Sequence, residues 1–163
     1  MKVEFNIVGI PGIIRTLNSL PAEIVSKKGG PVKLALAKAA RLVRDEAKSN
    51  LQRSIELRGA DSTGTTVRSV IASRGKAPND GNGERYLVRV KKRSFVNARG
   101  QKTSTRMTAN LLEWGSGHQP ATPWLRPAVT SKGQEAIDVM VTDLSRRIDL
   151  IVRQLAAKNG SAG

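Results

Sequence analysis

The chain has 163 residues, with 28 Lys and Arg against 13 Asp and Glu, for a net charge of +15. Only 3% of residues are aromatic and there is no cysteine, so the core must be built from Leu, Ile, Val and Ala, and disulfides and thiolate metal sites are excluded. So thin a core suggests that neighbouring subunits supply part of the stability, and the charge calls for anionic partners.

The length suits one domain, read as residues 1–158 with a flexible tail at 159–163. The first ten residues hold no continuous apolar h-region, and no apolar run approaches the roughly 20 residues that span a bilayer. The expectation is a soluble protein made in the cytosol, without a membrane partner.

Residues 2–8 alternate, with Val3, Phe5 and Ile7 on one face, and predict a half-buried strand. Ile13, Leu17 and Leu20 fit one face of a short helix that Pro21 interrupts. Pro31 opens a long helix. Val32, Leu36, Ala40, Val43, Ala47, Leu51 and Ile55 form its apolar stripe, and Gly59 sits where a C-terminal cap belongs. Residues 60–82 are rich in Gly, Ser, Thr and Asn, with a strand predicted over 66–72 and a turn at 79–83. Residues 86–90 alternate again, Tyr86, Val88 and Val90 inward and Leu87 and Arg89 outward, which predicts a strand. Residues 94–108 read as a long exposed loop or hairpin tip, and 109–114 as another strand. After Pro127 a second long helix is expected, its stripe made by Ile137, Met140 or Val141, Leu144, Ile148, Ile151 and Leu155. The predicted fold class is α+β: two long amphipathic helices on a small, mostly antiparallel sheet with a long basic hairpin loop.

Candidate chemistry is sparse. His118 is the single histidine, in a Gly-rich loop, and cannot make a cluster metal site. No nucleophile elbow, phosphate loop or dinucleotide fingerprint occurs. Asp45 and Glu46 are adjacent on a helix and do not face each other as a catalytic pair would. Asp138, Asp143 and Asp149 read as solvated partners of Arg146, Arg147 and Arg153. No catalytic residue, metal ligand or cofactor is predicted, and the chain is not expected to be an enzyme. The notable charge feature is residues 85–106, which carry Arg85, Arg89, Lys91, Lys92, Arg93, Arg99, Lys102 and Arg106 with no acid. Such a run suits phosphates or an acidic protein surface. Only Tyr86 and Phe95 interleave it, few for a single-strand stacking platform. An acidic protein is the first expectation and nucleic acid the alternative.

Both tryptophans lie in residues 111–128. Glu113, Trp114 and Gly115 are expected to end a strand and enter a glycine turn. Pro123 and Pro127 frame Trp124 and Leu125, bias Thr122 and Arg126 toward extended backbone, and hold the apolar pair at the entrance of the last helix. This block resembles the gene-ten-like tail-component family of lambdoid siphophages, the head–tail joining or tail-completion proteins. In that family a strand ending in Glu, an aromatic and Gly precedes a short loop, and an Ala-x-Pro-aromatic-Leu-x-Pro-Ala segment then starts the C-terminal helix; here the positions are Glu113-Trp114-Gly115 and Ala121, Pro123, Trp124, Leu125, Pro127 and Ala128. Val8-Gly9-Ile10, the Ala-rich helix around Ala39-Ala40, and Thr63-Gly64 with Arg68-Ser69-Val70 are similar to further family segments, in order, over residues 3–155. The chain departs from the family at Ala109-Asn110, where a Tyr-Ala pair is usual, and in a longer and more basic 94–108 loop. The resemblance implies a ring-forming subunit of the phage neck or tail, a hexamer by tail symmetry. It would cap or complete the tail or join it to the head connector, with connector or stopper and tail terminator or tail tube proteins as neighbours and DNA passing through its lumen. Its location would be the virion, and the host cytoplasm during assembly.

Overall fold

The computed structural model describes Arg15 and residues 30–59, 64–76, 84–97 and 100–160, with backbone alone at 159–160. The strand predicted at 2–8, the short helix after Ile13, the turn at 79–83 and Arg99 lie outside the described residues. The element order is α1 (Pro31–Glu56), α2 (Thr65–Arg68), β1 (Val70–Arg74), β2 (Tyr86–Val90), β3 (Ser94–Val96), β4 (Lys102–Ser104), α3 (Thr105–Trp114) and α4 (Leu125–Gly160). The fold class is α+β as read from the sequence: long helices α1 and α4 pack on each other, and α1 also packs on β1 and β2.

Pro31 stands at the start of α1, where its missing N–H costs no helical bond, and Gly59 ends the following turn at φ 59°. Ala47, Leu51 and Ile55 lay the C-terminal half of α1 on Val70, Val90, Ala109, Leu112, Trp124 and Ala128, which together form the main core. Near its start α1 buries Ala35 against Leu144 and Ile148 of α4, with Val32 and Met140 beside them. The two helices therefore run antiparallel. The predicted stripe holds over the C-terminal half only. In the N-terminal half Ala35, Ala37 and Ala39 are buried while Leu36, Ala40 and Val43 are partly exposed. Residues at spacing two cannot share one helix face, so this half is enclosed from more than one side. Small residues face inward on α4 too: Ala128, Gly133 and Ala136 are buried, and small side chains let helix axes approach closely.

The strands form two separate antiparallel ladders. One pairs β1 with β2, Val70 opposite Val90 and Arg74 opposite Tyr86; the other pairs β3 with β4, Ser94 opposite Ser104. The expected alternation in β2 is present, with Val90 buried and Leu87 and Arg89 exposed. The strand expected over 66–72 is half helix: α2 occupies Thr65–Arg68 and the strand begins at Val70. Gly64 caps that turn at φ 67°, a conformation that suits glycine. β3 and β4 form the arms of a hairpin within the expected loop; the Asn97 N–H donates to the Gln101 carbonyl and the Asn97 carbonyl accepts the Gly100 N–H.

The largest correction falls at residues 105–114, where the sequence predicts a loop tail and a strand. They form one helix, α3, capped by the Ser104 side chain on the Met107 N–H at 3.3 Å. Thr105, Ala109, Leu112 and Glu113 are buried at helical spacing, whereas a strand would have buried alternate residues. The last helix also starts earlier than expected, at Leu125. Pro127 is its third residue, where an N–H has no helical acceptor in any case, so the proline is tolerated and Arg126 is helical rather than extended.

Candidate docking site

Glu113 organises the joint between α3 and α4. Its carboxylate accepts the N–H groups of Trp124 at 2.8 Å, Leu125 at 2.8 Å and Arg126 at 3.2 Å, and the Arg126 Nε at 2.9 Å. These amides open α4 and have no helical partners, so a carboxylate from elsewhere in the chain supplies both the acceptors and the charge that a helix N-terminus favours. Arg126 also donates to the Glu113 carbonyl at 3.0 Å. Burial alone would raise the Glu113 pKa. The amides of Leu125 and Trp124, with Arg126, outweigh it and hold the carboxyl below its ordinary value.

The glycine turn is fixed from several sides. Thr122 N–H donates to the Leu112 carbonyl at 2.8 Å, and Ser116 and Gln119 bridge within the loop. Arg58 reaches over from the end of α1 to the Thr122 hydroxyl at 3.1 Å and to the Pro120 carbonyl. Gly115 has φ 74°, and a Cβ there would lie 2.8 Å from both the Gln119 carbonyl oxygen and the Ala121 nitrogen, so only glycine fits. His118 is an exposed loop residue whose N–H bonds the Ser116 hydroxyl.

The two tryptophans part company. Trp124 is buried in the main core, with its Nε1 donating to the Ala109 carbonyl at 2.9 Å and Asn50 Nδ2 donating to its carbonyl at 3.2 Å. Trp114 is 68% exposed, and the Arg126 guanidinium lies 4.4 Å over its ring. Trp114, Leu111 and Met107 recur at spacings of three and four on α3, opposite the buried face. They line an open pocket of about 460 Å³ with Lys92, Ser104, Arg106, Asn110 and Gly115. Met107 is 57% exposed.

No family model, curated protein or solved structure matches this chain. Its own geometry and the motifs above carry the functional reading.

Of the basic residues predicted as contacts, all but Arg99 are described. Lys91, Lys92, Arg93, Lys102 and Arg106 are exposed, and among the described residues none of them is paired with a carboxylate. Arg89 donates to the Ser73 hydroxyl at 2.8 Å, across the β1–β2 ladder. The nearby acid Glu84 is taken by Arg74. Thr105, fully buried, pins the basic connection to α3: its hydroxyl donates to the Lys91 carbonyl at 2.7 Å and accepts the Arg93 N–H at 3.0 Å. Lys92 and Arg106 are thereby brought to one pocket, a convergence that linear spacing did not show because it depends on α3 being helical.

Asp143, expected on a solvated face, is instead 3% exposed. Its oxygens accept from Lys38 of α1 at 3.0 Å and from Arg147 of its own helix at 2.5 Å, with Arg146 at 3.7 Å. The bond from Arg147 leads, ahead of the opposing effect of burial and the help of Lys38, in holding this carboxyl below its ordinary pKa. Among the described residues no three His, Cys, Asp or Glu side chains gather into a metal-binding group, and no buried side-chain polar atom lacks a partner.

Proposed function

We propose that the chain is a structural subunit of a siphophage neck or tail, a ring-forming tail-completion or head–tail joining protein that works through its interfaces. The observation that carries the reading is the α3–α4 joint. The block that resembles the tail-component family is a tightly tied junction, with one tryptophan sealed in the core and the other presented beside unpaired cations. A rigid element displaying an apolar stripe and uncompensated charge suits a surface that another chain covers. The thin aliphatic core and the net charge of +15 agree with stability and neutralisation supplied by neighbours in an assembly.

Complementation tests the reading. A tailed phage with a nonsense mutation in the gene for this chain should accumulate unjoined or unfinished particles, and adding purified protein to that lysate should restore infectious ones. Complete infectious particles without the chain would overturn it. Lys91, Lys92, Arg93, Lys102 and Arg106, without a carboxylate partner among the described residues, favour a second reading, a small basic nucleic-acid-binding protein. A stable monomer that binds duplex DNA with a steep salt dependence, lost when the cations of that segment are neutralised, would favour this reading over the first.

A further inference from the structure

Helix α3 is apolar on two opposite faces. Ala109 and Leu112 bury one of them in the core. Met107, Leu111 and Trp114 make the other, and Met107 and Trp114 are more than half exposed. A helix with apolar residues on two faces is built to be covered on both. Lys92 and Arg106 edge the outer face at the pocket, and among the described residues no acid lines it. We propose that this face is a docking groove for an acidic segment of a different protein, one carrying an apolar side chain that seats between Met107, Leu111 and Trp114.

The charges decide against a second copy of the chain as occupant. Asp45, Glu46, Glu84, Glu113, Glu135 and Asp143 are each already held by a cation of the same chain. Six of the 13 acids are thus engaged, and a copy as a whole would bring a further +15 of like charge to a groove already edged by cations. Nucleic acid matches the cations but not the floor. A strand stacks its bases on successive rings, whereas here one exposed indole, already carrying Arg126 on its ring, sits beside a thioether and a leucine. An aliphatic or aromatic side chain on an acidic peptide satisfies both the floor and the rim, in the manner of a helix face read at spacings of three and four. The inference deepens the assembly reading and rests on it for the partner being another structural protein.

A random peptide display library, panned on the full chain and depleted on Trp114→Ala, supplies the probe. The expected winners carry net negative charge and at least one large apolar residue. By fluorescence anisotropy, a labelled winner should bind about tenfold more weakly to Trp114→Ala, to Met107→Glu and to a Lys92→Glu/Arg106→Glu double variant. Both Trp114 and Met107 are exposed, so these variants should keep the wild-type far-ultraviolet circular dichroism, which is recorded alongside. Winners without an apolar anchor, no Trp114-dependent winner, or tighter Trp114-dependent binding of oligothymidylate than of any peptide would each overturn the proposal. Failure of complementation with normal peptide binding would instead count against the phage assignment alone.

Discussion

Glu113 and Gly115 stand two residues apart and do different work for the same joint. Replacing Glu113 with Gln keeps the shape but removes the charge that three amides and Arg126 share, and should cost about 2 kcal/mol in chemical unfolding. Gly115 combines a positive φ with two backbone atoms that would lie 2.8 Å from any Cβ placed there, and neither can swing away. Gly115→Ala should therefore cost about 3 kcal/mol. Gly100, whose φ is similar but whose surroundings are open, should lose about 1 kcal/mol when changed to Ala. The tryptophans make a second contrast. Trp124→Ala empties part of the main core and should cost about 3–5 kcal/mol. Trp114→Ala gives up little beyond its contact with Arg126, about 0.5–1 kcal/mol. Equal losses at the two positions in urea unfolding would contradict one indole being sealed and the other open.

Between elements, the buried Asp143 clamps α4 to α1 through Lys38. Both Asp143 and Glu113 ionise more readily in the fold than in the unfolded chain. Their stabilisation is complete above the unfolded carboxylate range, near pH 4, and is lost as pH falls below it through the folded values. Stability measured from pH 6 down to pH 2 should thus decline on the acid side, and Asp143→Asn should flatten that decline while lowering neutral stability by about 2 kcal/mol. Lys38 is half exposed, so Lys38→Ala should cost no more than about 1 kcal/mol. The elements also divide by how plainly the chain spells them. Pro31, the recurrence of Ala47, Leu51 and Ile55, and the alternation of residues 86–90 each announce one period strongly, and the structure follows. Residues 109–114 are a short apolar run, which periodicity alone cannot assign. The helix becomes legible only when Ser104 is taken as its cap and Met107, Leu111 and Trp114 as one row. Asp143 was hidden for a different reason: burial of a charge depends on partners from another helix, and Lys38 lies 105 residues away. Glu113, Trp114 and Trp124 stand out in the sequence, but not the bonds that tie the first to the start of α4.

At the scale of the whole molecule, the charge is both a solubility device and a demand. Lys91, Lys92, Arg93, Lys102 and Arg106 have no carboxylate partner among the described residues, so their charges are left to repel one another. Association with the native partner, followed by sedimentation, should weaken markedly between low and moderate salt. Affinity indifferent to salt would mean that these cations lie outside the interface. The distribution of apolar residues adds to this. Val152 and Leu155 of α4, on the same helix face as Leu144 and Ile148, are exposed, whereas Leu144 and Ile148 are sealed against α1. The core thus thins toward the C-terminal part of α4, and cover from a neighbour there would add stability that the isolated chain lacks.

The separation of the two indoles also equips the protein with its own optical gauge. Trp124, closed off in the core, should emit in the blue and resist acrylamide; Trp114 should emit further to the red and be quenched freely. A titration that shields only the quenchable population would report cover on the outer face of α3. A shift in the protected population would report loosening of the core. One fluorescence experiment on the unlabelled chain can therefore tell capture of a partner from loss of the fold.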